Sequence, residues 1–169
     1  IVLERCLEEN RTNRQVNYAY GKFLMDQNKE PNSAMLYLKR SFVPGDTNFD
    51  AQMRYGRECF RATQYTECER HFGTVRSTKF PPRFGSDVLY PIEEFSSGDV
   101  MEVHARYLQV RDLKSGLFIR AYKEHNDPNI FHQVTSSIRI RYKVGVGIYG
   151  LRAMNTEIIN LSNVSTLNI

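Results

Sequence analysis

Apolar residues recur at three- and four-residue spacing through roughly the first half of the chain, and they alternate with polar residues through the second. Tyr20, Gly21 and Leu24 share one helical stripe, and Tyr55, Gly56 and Cys59 repeat it. Ala34, Leu38 and Ser41 follow the first set at helical spacing, and Cys68, Phe72 and Val75 follow the second. This predicts two helices per repeat, with Pro44-Gly45-Asp46 separating one repeat from the next. Helical periodicity fades after Val75, and residues 77–85 contain Pro81-Pro82, which a helix could not cross without losing hydrogen bonds.

From residue 101 onward, β-branched and aromatic residues alternate with polar ones between turn clusters at 112–116, 124–128 and 145–150. The predicted strands are residues 101–110, 117–121, 129–134, 138–144 and 151–159. The stretch 88–100 is open between a short strand at Leu89-Tyr90 and a turn of helix at Pro91 to Phe95. The expected fold class is α+β in two domains. Helical repeats occupy 1–78, a linker and lead-in 79–100, and a five-stranded OB-type antiparallel barrel with a C-terminal tail 101–169.

The repeated Tyr-Gly pairs, with small, aromatic and small residues on the following helix, resemble the tetratricopeptide repeat. The match is partial. Asn17 and Gln52 stand where that family often has Trp, Cys68 replaces its usual Ala, and the turn 28–33 is one residue longer. Each Gly is expected to let the facing helix close, because a side chain there would hold it off. Leu3, Cys6 and Leu7 look like the second helix of an earlier repeat. The chain is therefore expected to be a piece of a longer protein whose N-terminal face docks on further repeats.

In the second half, Lys114-Ser115-Gly116-Leu117-Phe118-Ile119-Arg120 and Asn129-Ile130-Phe131-His132 resemble the two ribonucleoprotein motifs of a cold-shock domain. Residues 139–144 and 150–155 are similar to that family's last two strands, so the likeness covers about 103–159. It implies aromatic rings on adjacent strands that stack unpaired bases, with cations following the phosphates. The residues placed by it are Phe118 and Phe131 as stacking platforms, with Lys114, Arg120, Lys123 and Arg141 as cations. The departures fall on the rings: Gly116, Gln133 and Val134 occupy positions where the family has an aromatic, a His and another aromatic, and His132 stands one position early.

Composition changes this picture little. The formal charge of +4 favours an anionic partner without naming one. No apolar run approaches the roughly 18 residues of a membrane span, so no membrane partner is expected. Cys6, Cys59 and Cys68 are odd in number at apolar-periodic positions, which suggests free thiols and a cytoplasmic setting. The sequons at Asn10, Asn160 and Asn163 read as chance triplets. His71, His104, His125 and His132 lack metal-site spacing, and neither Glu93-Glu94 nor the glycines at 145–150 make an acid/base pair or a phosphate loop. No enzyme, metal or cofactor is expected.

The functional expectation is a non-catalytic module in which the repeats position a barrel that binds single-stranded RNA or DNA. The alternative is a protein-interaction module whose repeats bind a peptide through Asn17, Lys22 and Arg57 and whose barrel is a cap or docking surface; a third reading is the terminal sensing region of a larger protein.

Overall fold

A computed structural model describes residues 2–27, 30–76, 90–147 and 150–159. The expected tail beyond 159 and most of the expected linker lie outside them. The fold is α+β in two parts: helices come first, and a closed five-stranded barrel follows. The chain forms two compact units, one carrying the first five helices and the other most of the barrel strands.

In the helical unit, α1 (Val2–Glu9) precedes two hairpins, α2 (Arg14–Asp26) with α3 (Pro31–Arg40) and α4 (Phe49–Arg61) with α5 (Tyr65–Arg76). Asn residues start both first helices. Asn13 Oδ1 accepts from the backbone N–H of Gln15 and Val16 at 2.9 and 3.2 Å, and Asn48 Oδ1 accepts from that of Ala51 at 3.3 Å. Pro31 opens α3, where a missing N–H costs nothing. Inside each hairpin the glycine is a contact surface: a Cβ on Gly21 would stand 2.9 Å from Leu38 Cγ, and one on Gly56 would stand 2.9 Å from Phe72 Cε2 and closer still to Cζ. The helix pairs therefore close at these points, as the sequence pattern requires, over a core that includes Ala34, Leu38, Cys59, Cys68 and Val75 at 0 % exposure.

The barrel strands are β1 (Tyr90–Val103), β2 (Tyr107–Asp112), β3 (Phe118–Tyr122), β4 (Arg139–Gly147) and β5 (Gly150–Ile158), closed in the order β1-β2-β3-β5-β4. Val100, Leu108, Val110, Ile119, Ile140 and Val144 fill the interior. The barrel is mixed rather than wholly antiparallel as expected. β3 lies parallel to β5, with Arg120 beside Arg152, because the connection through β4 returns β5 in the direction of β3.

Two predicted strands differ. The stretch 101–110 is the end of β1 and the start of β2, separated by a turn that the His104 N–H closes on the Tyr107 carbonyl at 2.9 Å. A bulge between Val100 and Glu102 shifts the inward–outward phase just before that turn, which hides the break in the alternation. The stretch 129–134 contains a short helix, α6 (Ile130–Gln133). Phe131 and Val134 are buried three residues apart, a helical spacing, and Asp127 Oδ1 accepts from the Asn129 N–H at 2.9 Å to start the turn. Residues 90–100, expected as lead-in, are strand throughout.

Candidate nucleic-acid interface

Alternation along β2 and β3 sorts side chains into two sets. Leu108, Val110, Asp112, Ile119 and Ala121 are buried in the barrel, which leaves Tyr107, Gln109 and Arg111 of β2 and Phe118, Arg120 and Tyr122 of β3 on the outer face. The register then sets these residues opposite one another: Arg111 faces Phe118, Gln109 faces Arg120, and Tyr107 faces Tyr122. Directly opposed residues of an antiparallel pair have Cβ atoms about 5 Å apart, so three rows form one continuous surface.

Phe118 is 57 % exposed, an unusual position for a large ring in a small domain. At the other end of the face the rings of Tyr107 and Tyr122 lie 5.4 Å apart, and His104 stacks on Tyr107 at 4.4 Å with 27° between planes. The Arg120 guanidinium sits 4.9 Å over the Tyr107 ring, held by the ring's negative face. One acid on this side, Asp99, is bound by Arg139 through two hydrogen bonds of 2.8 and 3.0 Å, so its charge is compensated. Glu102 lies 2.8 Å from His104 Nε2.

Beneath this face the turn between β2 and β3 is fixed by a buried carboxylate. Asp112 accepts from the Ser115 N–H and hydroxyl at 2.7 Å each, from the Tyr142 hydroxyl at 2.7 Å and from the Ser96 hydroxyl. Burial alone would raise its pKa, but these donors outweigh burial and leave it below its ordinary value. The turn so held delivers Phe118 to the first position of β3.

The residues expected to act together are divided by the structure. Phe118 and Arg120 share the β2–β3 face. Lys114 is exposed in the preceding turn, 3.4 Å from Glu94, a solvent-screened pair worth little. Arg141 is exposed on β4 with its guanidinium 4.0 Å over the ring of Phe95, and Lys143 lies 5.4 Å from the same ring. Phe131 is not an exposed platform: it is 7 % exposed in α6, with Lys123 5.3 Å from its ring. His132 is exposed on the same short helix.

Of the residues expected to contact peptide, Asn17 is corrected. Asn17 is fully buried, and its amide donates to the carbonyls of Arg11 and Asn13 at 2.9 and 2.8 Å. Gln52 repeats the arrangement in the next hairpin, donating to the carbonyls of Asp46 and Asn48, so both amides tie down the loop before their helix. Arg57 pairs with Glu58, which is 0 % exposed and also held by Arg61 at 2.9 Å. Lys22 is exposed.

Tyr107, Tyr122, His104 and Phe95 were missed from sequence. The signal for the two tyrosines was present, since they stand two and four residues from outward cations at strand spacing, but it becomes visible only when the strand boundaries at Tyr107 and Tyr122 are known.

No family model matches the chain, and no curated protein matches it. Among the described residues no group of three or more His, Cys, Asp or Glu side chains is placed to hold a metal ion, and no helix is long and apolar enough to cross a membrane.

Proposed function

We propose that the outer face of β1–β3 binds single-stranded RNA or DNA, by base stacking on Phe118 and on the Tyr107–Tyr122 pair and by phosphate contacts from Arg120 and Arg111. The observation that carries this reading is the exposed Phe118 ring on the same sheet face as a cation-capped aromatic cluster. Each stacked base contributes about 1–3 kcal/mol and tolerates any sequence, so two platforms with two cations suffice for useful affinity. The tyrosines also offset the aromatic positions in which this sequence departs from the cold-shock pattern, and the closed barrel is the architecture that pattern implies.

The helical hairpins, with their repeated glycine contacts, are in keeping with the tetratricopeptide resemblance and serve to position the barrel. A peptide groove has thin support here, since Asn17 and Arg57 are both engaged inside the helical unit. The three free thiols, two of them buried, support a reducing, cytoplasmic setting.

The test is fluorescence anisotropy with labelled mixed-sequence single strands at low and physiological salt. Binding by the parent and a loss of about tenfold in a folded Phe118→Ala variant are expected from one stacked base. Equal affinity in parent and variant would remove the mechanism.

A further inference from the structure

The groove at the start of β1 has the chemistry of the proposed face but lies apart from it. Phe95 is 47 % exposed, its ring carries the Arg141 guanidinium at 4.0 Å with Lys143 at 5.4 Å, and Lys114 and the half-exposed Leu113 line the same open groove. Two cations thus lie over one exposed ring and a third, Lys114, lines the same groove paired to Glu94.

Resting on the reading above, we propose that this groove is a second subsite for the same nucleic-acid strand, so that a bound single strand crosses the β2 side of the face between Phe118 on β3 and Phe95 on β1. Continuity of the surface supports it. On β1 the side chain of Asp99 faces outward opposite Arg111, which in turn faces Phe118, while Gly98 and Val100 are buried. Phe95 stands four residues earlier on the same strand, in phase with Asp99, which places it about 13 Å along and two strands, about 10 Å, across from Phe118. The resulting separation of about 16 Å equals about five stacked nucleotides at about 3.4 Å each.

Of the acids beside the path, Asp99 is paired with Arg139 and Glu94 with Lys114, so a phosphate chain meets compensated charge there. A guanidinium lying on a ring offers a flat, polarisable surface for a base and keeps in-plane N–H donors for a phosphate. An acidic peptide would use the cations and leave the stacked surface idle, so a nucleotide fits both features better.

The experiment measures affinities of the parent, Phe95→Ala, Arg141→Gln and Phe118→Ala for oligothymidylates of about three nucleotides, too short to join the two rings, and of about ten, within the usual site size of one such barrel. Thermal melts establish that each variant is folded, and Phe95→Tyr serves as the conservative control. The expected result is that the parent binds the longer strand at least about tenfold more tightly than the shorter one. Phe95→Ala abolishes that gain without weakening the short strand, and Phe95→Tyr restores it. Phe118→Ala weakens both lengths. Arg141→Gln lowers the salt slope for the longer strand by about 0.7, the contribution of one phosphate contact to a single strand. If the parent binds both lengths and Phe95→Ala keeps the length-dependent gain, the subsite is overturned while the β2–β3 face stands. If poly-glutamate displaces neither strand from the parent, the groove does not serve acidic polypeptide. Poly-glutamate that binds the parent, loses that binding in Phe95→Ala and Arg141→Gln, and is not displaced by the longer strand would assign the groove to acidic polypeptide and overturn the subsite. If the parent binds neither strand, both the subsite and the reading beneath it fall.

Discussion

Tyr142 on β4 donates its hydroxyl to Asp112 Oδ1 on β2 at 2.7 Å, inside the barrel and beneath the turn that presents Phe118. Both residues are essentially buried, so neither atom has bulk water as an alternative partner. A hydrogen bond to a charged group contributes about 1.5–3 kcal/mol, and Tyr142→Phe is expected to lower barrel stability by about that amount in urea unfolding.

The same carboxylate makes stability depend on pH. Burial pushes its pKa up, the Ser96, Tyr142 and Ser115 donors pull it down, and the net displacement is below 3.8. A folded pKa below the unfolded one contributes stability that is fully present above about pH 4 and is lost as pH falls through the folded value. Asp112→Asn should be less stable than the parent at pH 7, and the difference should shrink in urea titrations carried toward pH 2.

Replacing glycine by alanine within a helix ordinarily stabilises it by about 1 kcal/mol. Gly56→Ala should do the reverse, because the new methyl meets the Phe72 ring, and overpacking of this kind costs about 1–3 kcal/mol. Gly21→Ala should cost less, since its closest approach, 2.9 Å to Leu38 Cγ, is longer than that of the new methyl at Gly56 to Phe72 Cζ. Phe72→Leu combined with Gly56→Ala should be less destabilised than the sum of the two single changes, as read in a double-mutant cycle.

The thiols should differ in reactivity. Burial, partly offset by a hydrogen bond with Tyr55, pushes the Cys59 thiol up to about 12, and burial pushes Cys68 higher still, whereas Cys6 is half-exposed. With a chromogenic disulfide reagent at pH 8 the native protein should release one equivalent rapidly. All three should react in denaturant.

On the proposed nucleic-acid face, Arg120→Gln should reduce the dependence of log affinity on log salt by about 0.7, while Tyr107→Ala should lower affinity and leave that slope unchanged. A salt titration of single-strand binding separates the two. Equal slopes in Arg120→Gln and the parent would show that this guanidinium serves the Tyr107 ring and no phosphate.

Much of this protein is written in local pattern. Stripes at helical spacing, the paired Tyr-Gly positions and the Asn residues ahead of α2 and α4 specify two helical hairpins, because each depends on neighbours within one turn or one hairpin. Alternation in 138–144 and 151–159 specifies strands for the same reason, although β4 runs on to Gly147 through residues expected as turn, and Phe118 was legible as an exposed ring through its motif. Tertiary structure decided what depends on partners distant in sequence. Phe131 became core because three-residue spacing with Val134 buried one side of a short helix, and Asn17 was consumed by the loop it holds. The pairing of Tyr107 with Tyr122, the parallel contact of β3 with β5 and the seating of Arg141 on Phe95 all follow from strand register and barrel closure. Those are set by which strands meet, and no residue's immediate neighbours carry that information.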